Sequence, residues 1–143
     1  MKVNKIFIFF MSMFLVLMVG CSNGIKNEGN KIVVEKQINS SDKYELYNEV
    51  KDSKEVQNAK NILNSIKWQN AKVNMVRRAD YTFHFEDTNG KQKSNGIIYA
   101  LWISPDKDKI ELVIDSEGKY VQLDKEKSEK LFKIIIGKDL SET

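Results

Sequence analysis

Cys21 is the only cysteine in a chain of 143 residues, and it directly follows an apolar segment. Two lysines come first, and an apolar run of 14 residues over positions 6–19 then ends at the small residue Gly20. This run has the length of a secretory signal core and is short of the roughly 20 residues that cross a bilayer as a helix. The pattern predicts a signal peptide over residues 1–20, with an uncleaved membrane anchor as the alternative.

The residues Met18, Val19, Gly20 and Cys21 resemble the lipobox of bacterial lipoproteins, in which Leu usually stands three positions before the cysteine. The resemblance implies cleavage before Cys21 and a diacylglyceryl group on its sulfur, with acyl chains such as palmitate. Two chains hold a protein stably on a bilayer because each buried methylene contributes about 0.8 kcal/mol. The 21 lysines against two arginines indicate an AT-rich Gram-positive source. We therefore expect a lipid-anchored protein on the outer face of the bacterial cytoplasmic membrane.

His84 is the only histidine, and it alternates with Thr82 and Glu86 in a strand-like stretch. A lone imidazole with one carboxylate nearby is a poor catalytic or metal site, so we interpret His84 as a surface residue. The chain has no nucleophile-elbow, zinc-protease, Walker or dinucleotide-binding pattern. The sequence thus predicts no catalytic residue, no metal ligand and no cofactor.

Arg77 and Arg78 are adjacent and are the only arginines. They are candidates for binding anionic lipid headgroups or a wall polymer, although charges at the start of a strand are also common solubility features. Tyr99 and Trp102 are candidates for stacking on sugars or peptides. Their spacing puts them on opposite faces of one strand, so we expect at least one of them in the core.

Hydrophobic periodicity defines the remaining elements. Residues 31–39 predict a strand, and residues 40–48 show no clear pattern and are expected to be irregular. Asp52 predicts the start of an amphipathic helix over about 52–67, with Glu55 placed for a capping box. Four strands then follow, at 81–86, 96–103, 110–114 and 120–123, and Asp124 and Gly137 predict the caps of a final helix.

The order β-α-β-β-β-β-α predicts an α+β fold, in which an antiparallel meander forms one layer and helices cover one of its faces. We expect a flexible tether over 21–30, one domain over 31–138 and a tail over 139–143. Beyond residue 20 the chain has 21 basic and 20 acidic residues, a net charge of +1. This balance argues against a nucleic-acid partner.

Several stretches resemble the YhfM-like family of small Bacillus-type lipoproteins. They are the helix-end segment ILNSIKWQNAKVNM, the strands ADYTFHF and IIYALWIS, and the closing YVQLDKEKSEKLFKII. Ala79 stands where we would expect proline in relatives. The resemblance implies a compact antiparallel α+β domain at the cell surface, and it supplies no site residue apart from the lipidated cysteine.

These features predict a monomeric, non-enzymatic binding or accessory module that is anchored to the membrane and contacts an envelope protein, peptide or polymer. One alternative is an envelope hydrolase whose carboxylates are brought together only by the fold, with Asp80, Glu86, Asp115 and Glu117 as candidates. A second alternative is an inhibitor or immunity-type protein that presents an exposed strand edge or an apolar patch to another protein.

Overall fold

The computed structural model describes residues 24–39, 41–89 and 96–143. The predicted signal peptide and Cys21 lie outside the described residues. Within these ranges, nine helices and strands occur in the order β-β-α-β-β-β-β-β-α: β1 (Lys31–Gln37), β2 (Tyr44–Val50), α1 (Ser53–Asn64), β3 (Gln69–Asn70), β4 (Tyr81–Glu86), β5 (Tyr99–Ile103), β6 (Ile110–Ile114), β7 (Lys119–Gln122) and α2 (Lys125–Ile136). Short 3-10 turns follow β6 and α2.

All seven strands belong to one antiparallel sheet with the order β2-β1-β4-β5-β6-β7-β3. Strands β4 to β7 are neighbours in the sheet in the same order as in the chain, which is the predicted meander. The two helices pack on one face. The predicted two-layer α+β fold is therefore confirmed.

Strand β2 occupies most of the segment that was expected to be irregular. It pairs with β1 along the edge of the sheet, and the register shifts between Val34 and Glu35 so that Tyr47 is an extra residue. This bulge interrupts the period of two that identifies a strand in a sequence. Because an edge strand also buries little, only Val50 of its seven residues is buried. The polar composition therefore hid a real strand.

Helix α1 begins where its cap predicts. The side chain of Asp52 accepts a hydrogen bond from the Glu55 N–H at 2.9 Å, which satisfies one of the free donors of the first turn. Val56, Ala59 and Leu63 are buried against the sheet. The helix ends at Asn64, three residues before the predicted end.

Helix α2 is capped at both ends as predicted. Asp124 accepts from the Lys127 N–H at 2.8 Å, and Gly137 ends the helix in the left-handed conformation with φ of 79°. Ser128 is fully buried on this helix, and its hydroxyl accepts a hydrogen bond from the Ile110 N–H of β6. This bond connects the helix layer directly to the sheet.

The main core lies between the helices and the sheet, and its largest side chains are aromatic. Phe83 and Tyr99 stack with their ring centroids 4.7 Å apart, and Phe132 of α2 packs against Tyr81. Tyr99, Phe83 and Phe132 are completely buried. Burying each such side chain contributes about 1.5–3 kcal/mol, so this layer supplies most of the stability of the domain.

The segment before β1, expected to be part of a tether, is attached to the domain. Ile25 packs against the core, the Tyr99 hydroxyl donates to the side chain of Asn27, and the Lys60 ammonium donates to the Gly29 carbonyl at 2.6 Å. The segment has the polar composition of a linker. Its composition does not reveal the attachment because the partners that hold it, Lys60 and Tyr99, are 31 and 72 residues away in the chain. Leu140, placed in the predicted tail, is buried as well. The packed domain therefore includes residues 25–30 and Leu140.

Gly29 permits this attachment, and Gly29→Ala tests it. Gly29 has φ of +121°, and an added Cβ would lie 2.7–2.9 Å from backbone atoms of Glu86. Gly137 also has a positive φ, but a Cβ there would meet nothing within 4 Å. We expect Gly137→Ala to lower the free energy of unfolding by about 1–2 kcal/mol through backbone strain alone. Gly29→Ala should cost more in urea denaturation, because the backbone of β4 would have to move. Equal losses would contradict close packing at Gly29.

Candidate binding site

The face of the sheet opposite the helices, here called the open face, is covered in part by residues 71–79. Thr82, Ala100, Val113 and Tyr120 lie side by side on this face, each paired with the next across neighbouring strands. A small second core forms where the segment crosses the sheet, and it contains Ala79, Trp102 and Val113, with Met75, Ala100 and Tyr120 packed around it. The segment therefore covers β5 on the side that the helices leave free.

A cleft of about 540 Å³ lies between this segment and the sheet. We call it the open-face cleft. It brings together three of the four surface-binding candidates from the sequence, Arg77, Arg78 and Trp102. The other lining residues are Tyr44, Val73, Asn74, Met75, Val76, Ala79, Thr82, Ala100, Val113 and Asp115.

Arg77 is fixed in place by several contacts. Its guanidinium contacts the Asp80 carboxylate at 2.6 Å and donates to the Ile103 carbonyl at 2.8 Å. Asp80 in turn accepts from the Ile103 N–H at 2.7 Å, and the Arg77 carbonyl accepts from the Trp102 indole N–H at 2.8 Å. Arg77 therefore secures the covering segment to the end of β5, and much of its donor capacity is used within the domain.

Arg78 has a different environment at the rim of the cleft. Its guanidinium forms an ion pair with Asp42, and both side chains are more than half exposed. Beside it, Tyr44 donates its hydroxyl to the Ala79 carbonyl at 3.0 Å, and burial raises the pKa of that hydroxyl. An exposed ion pair of this kind is weak and is exchanged readily for another partner. Arg77 and Arg78 are about equally exposed, but Arg78 has fewer partners within the domain, so its charge is more readily available to a ligand.

Apolar side chains project into solvent near the cleft. Val76 is fully exposed at the outer surface of the covering segment, and Val73 is partly exposed. Leu46, 64% exposed, lies on the open face of β2 because it pairs with Glu35, which itself pairs with Thr82. Exposed aliphatic groups beside an exposed arginine ion pair are typical of a protein or peptide contact surface.

Tyr99 does not belong to this site, so its interpretation as a surface-binding residue was wrong. It points to the helix side, is fully buried and stacks on Phe83. Burial raises the pKa of its hydroxyl, which remains protonated and donates to Asn27. Trp102 is also largely buried, at 8% exposure, and forms part of the cleft floor rather than a free stacking platform. The opposite orientation of the two rings is as predicted.

The four candidate carboxylates do not converge. Asp80 and Glu86 stand at the two ends of β4, about 20 Å apart at the rise of an extended strand. Glu86 contacts the Lys31 ammonium at 3.4 Å and His84 at 3.9 Å. Asp115 lines the open-face cleft without any of the other three. The arrangement therefore uses these groups in ion pairs and turns rather than as a pair of acid and base.

Glu86, which lies beside His84, belongs to a network of charges with Lys31, Glu49 and Lys51. Lys31 contacts Glu49 at 3.2 Å as well as Glu86, and Lys51 contacts Glu49 at 2.8 Å. The two ammonium groups, that of Lys51 most strongly, hold the pKa of the Glu49 carboxyl below its usual value.

Across the described ranges, no three His, Cys, Asp or Glu side chains are grouped so as to hold a metal ion. No helix in these ranges has the length and apolar character to cross a membrane.

The covering segment was the part of the site that sequence reasoning missed. Met75 and Val113 pack on Trp102, and Tyr44 comes from the strand that was not predicted. The signal available was the alternation of Val73 and Met75 with polar residues, which continues a strand-like period past the end of β3. This alternation extends over too few residues to distinguish a covering segment from a loop.

A protein-family model described as the YhfM protein matches residues 25–140. The chain belongs to the YhfM family. The match begins at Ile25, which packs on the core, and it includes every described strand and both long helices of the sheet and helix layers. The family assignment made from the sequence is thereby confirmed. No curated protein and no solved structure matches the chain.

The two arginines should differ in their effect on stability. We expect Arg77→Ala to lower the free energy of unfolding by about 1–3 kcal/mol, since it removes the guanidinium that contacts Asp80 and the Ile103 carbonyl and leaves Asp80 with only the Ile103 N–H. Arg78→Ala removes only an exposed ion pair and should cost less than about 1 kcal/mol. Urea denaturation of both variants tests this difference. A loss for Arg78→Ala as large as that for Arg77→Ala would show that Arg78 also has a structural role.

Proposed function

We propose that this YhfM-family chain is a lipoprotein anchored through Cys21 on the outer face of the bacterial cytoplasmic membrane, and that its domain is a binding or accessory module. The open-face cleft is the observation that supports a binding role for the domain. It combines a cation in a weak, exposed ion pair, Arg78, with exposed apolar side chains such as Val76. This combination suits an envelope protein or peptide that offers apolar side chains and a carboxylate.

The same geometry supports binding over hydrolysis. Asp80, the carboxylate nearest to the arginines in sequence, accepts hydrogen bonds from Arg77 and from the Ile103 backbone. Both oxygens of this carboxylate are occupied by partners within the domain, so it orients its neighbours. Its role is to hold the covering segment against the sheet, where it shapes the cleft.

A second mode of binding has its own observation. Strand β2 forms one edge of the sheet along seven residues, and Leu46 and Glu45 on it are exposed. Such an edge can accept a strand from another protein by backbone pairing, which is how several inhibitory and scaffolding proteins bind. This mode corresponds to an inhibitor or immunity-type role and engages the edge rather than the cleft.

The anchor is tested by Cys21→Ser. Because only a thiol forms the thioether to diacylglycerol, the variant should lose fatty-acid labelling in growing cells and should accumulate as an unprocessed precursor or be released from the membrane. The unchanged chain expressed at the same level is the control. Normal labelling of Cys21→Ser would contradict the lipoprotein assignment.

The binding surface is tested by photocrosslinking in intact cells. A photoreactive residue replaces Val76 at the cleft, Leu46 on the β2 edge, or Gln57 on the exposed side of α1 as a control. We expect a discrete crosslinked product from Val76 that is lost when Arg78→Glu is added, and none from Gln57. A product from Leu46 alone would favour the strand-edge mode. Equal products from all three positions would contradict a specific surface.

A further inference from the structure

A second cleft lies where the attached N-terminal segment meets the end of α1. Its volume is about 720 Å³, and we call it the N-terminal cleft. It is lined by Gly24–Asn27, by Leu63, Asn64, Ile66 and Trp68, and by Lys119 at the start of β7. The proposed binding function makes no use of this cleft.

We propose that the N-terminal cleft and its rim lie against an anionic phospholipid surface, with Trp68 at the level of the headgroups and Lys26 and Lys119 facing lipid phosphates. This inference rests on the proposed anchor at Cys21, and it adds an orientation of the domain on the membrane. Three observations lead to it: the reach of the chain, the charge of the cleft and the position of Trp68.

The reach of the chain limits where this end of the domain can be. Ile25 packs on the core, and it follows Cys21 by four residues. Four residues span at most about 14 Å even when fully extended. The headgroup layer of one leaflet is itself about 5–7 Å thick. A lipid on Cys21 therefore keeps Ile25 within a short distance of the headgroups.

The charge of the cleft suits an anionic surface. Its lining includes two ammonium groups, those of Lys26 and Lys119, and no carboxylate. The Lys119 ammonium donates to the side-chain oxygen of Asn70, which is neutral, so its charge is not cancelled there. Anionic lipids attract lysines that lie near the membrane surface, and the attraction falls off within about 10 Å.

Trp68 has the environment of an interfacial aromatic residue. Its ring contacts that of Tyr99 at a centroid distance of 6.0 Å, and the side chain is only partly buried. Ile25 and Ile66 beside it are also partly buried. Tryptophan is enriched at the membrane–water boundary because its large ring is apolar and its indole N–H is polar. A partly exposed Trp in a cleft that also contains two lysines fits that boundary.

The test uses the mature lipoprotein in vesicles of phosphatidylglycerol and phosphatidylcholine, the latter brominated along its acyl chains near the headgroup. Bromine quenches only nearby indoles. The chain has two tryptophans, so Trp102→Phe leaves Trp68 alone and Trp68→Phe leaves Trp102 alone. We expect the emission of Trp68 to shift to the blue and to be quenched, while that of Trp102, under residues 71–79, is unchanged. Far-UV circular dichroism confirms that both variants are folded.

Charge variants separate attraction by lipid phosphates from simple proximity. Replacing Lys26 and Lys119 by Gln should lower the ratio of docked to undocked domain by about fivefold per lysine in phosphatidylglycerol vesicles. The matched control is Lys107→Gln with Lys109→Gln in the turn between β5 and β6, which lies at the opposite end of the sheet from Lys119. This control should leave quenching unchanged.

Vesicle flotation distinguishes a wrong orientation of the domain from a wrong assignment of the lipid anchor. If the protein floats with the vesicles and Trp68 is not quenched, the anchor stands and the orientation proposed here is wrong; an added peptide or a second copy that then protects Trp68 would identify another occupant. If the mature protein does not float, the anchor itself is wrong, and the proposed orientation fails with it.

Discussion

Strand β5 is covered on both faces, and this double burial determines how the rest of the domain is arranged. Tyr99 points into the layer between sheet and helices, and Trp102 points into the small core under residues 71–79. A strand without a solvent face needs two separate covers. The amphipathic helices provide one, and the segment before β4 provides the other. The open-face cleft forms where the second cover meets the sheet, and the N-terminal cleft forms at the end of α1 in the first.

The two aromatic residues also carry polar groups that cannot be left without partners. A buried hydroxyl or indole N–H without a hydrogen bond costs about 1–3 kcal/mol. The Tyr99 hydroxyl donates to Asn27, and the Trp102 indole donates to the Arg77 carbonyl. Within the described residues no buried side-chain nitrogen or oxygen lacks a partner. The hydroxyl of Tyr99 therefore holds the N-terminal segment on one side of β5, and the indole N–H of Trp102 holds the covering segment on the other.

Local signals made the helices and the meander predictable from the sequence. The helix caps Asp52, Asp124 and Gly137 depend only on residues a few positions away. In β4, the alternation of apolar and polar residues matches the alternation of buried and partly exposed side chains. Contacts between distant residues were not predictable in this way. The role of Asn27 depends on Tyr99, 72 residues away, and the bulge at Tyr47 concealed β2. Spacing placed Tyr99 and Trp102 on opposite faces, but only the packing of distant segments shows that Tyr99 faces the helices and Trp102 faces residues 71–79.

The opposite orientation of these two rings keeps the proposed membrane contact and the proposed partner contact on different sides of the sheet. Trp68 and the N-terminal cleft adjoin Tyr99 on the helix side, whereas Arg78 and the open-face cleft adjoin Trp102 on the other. A partner in the open-face cleft therefore does not compete with lipid for the same residues. With the proposed anchor at Cys21 and the N-terminal cleft against lipid, the open face would be directed away from the lipid-facing residues and would be free for a partner.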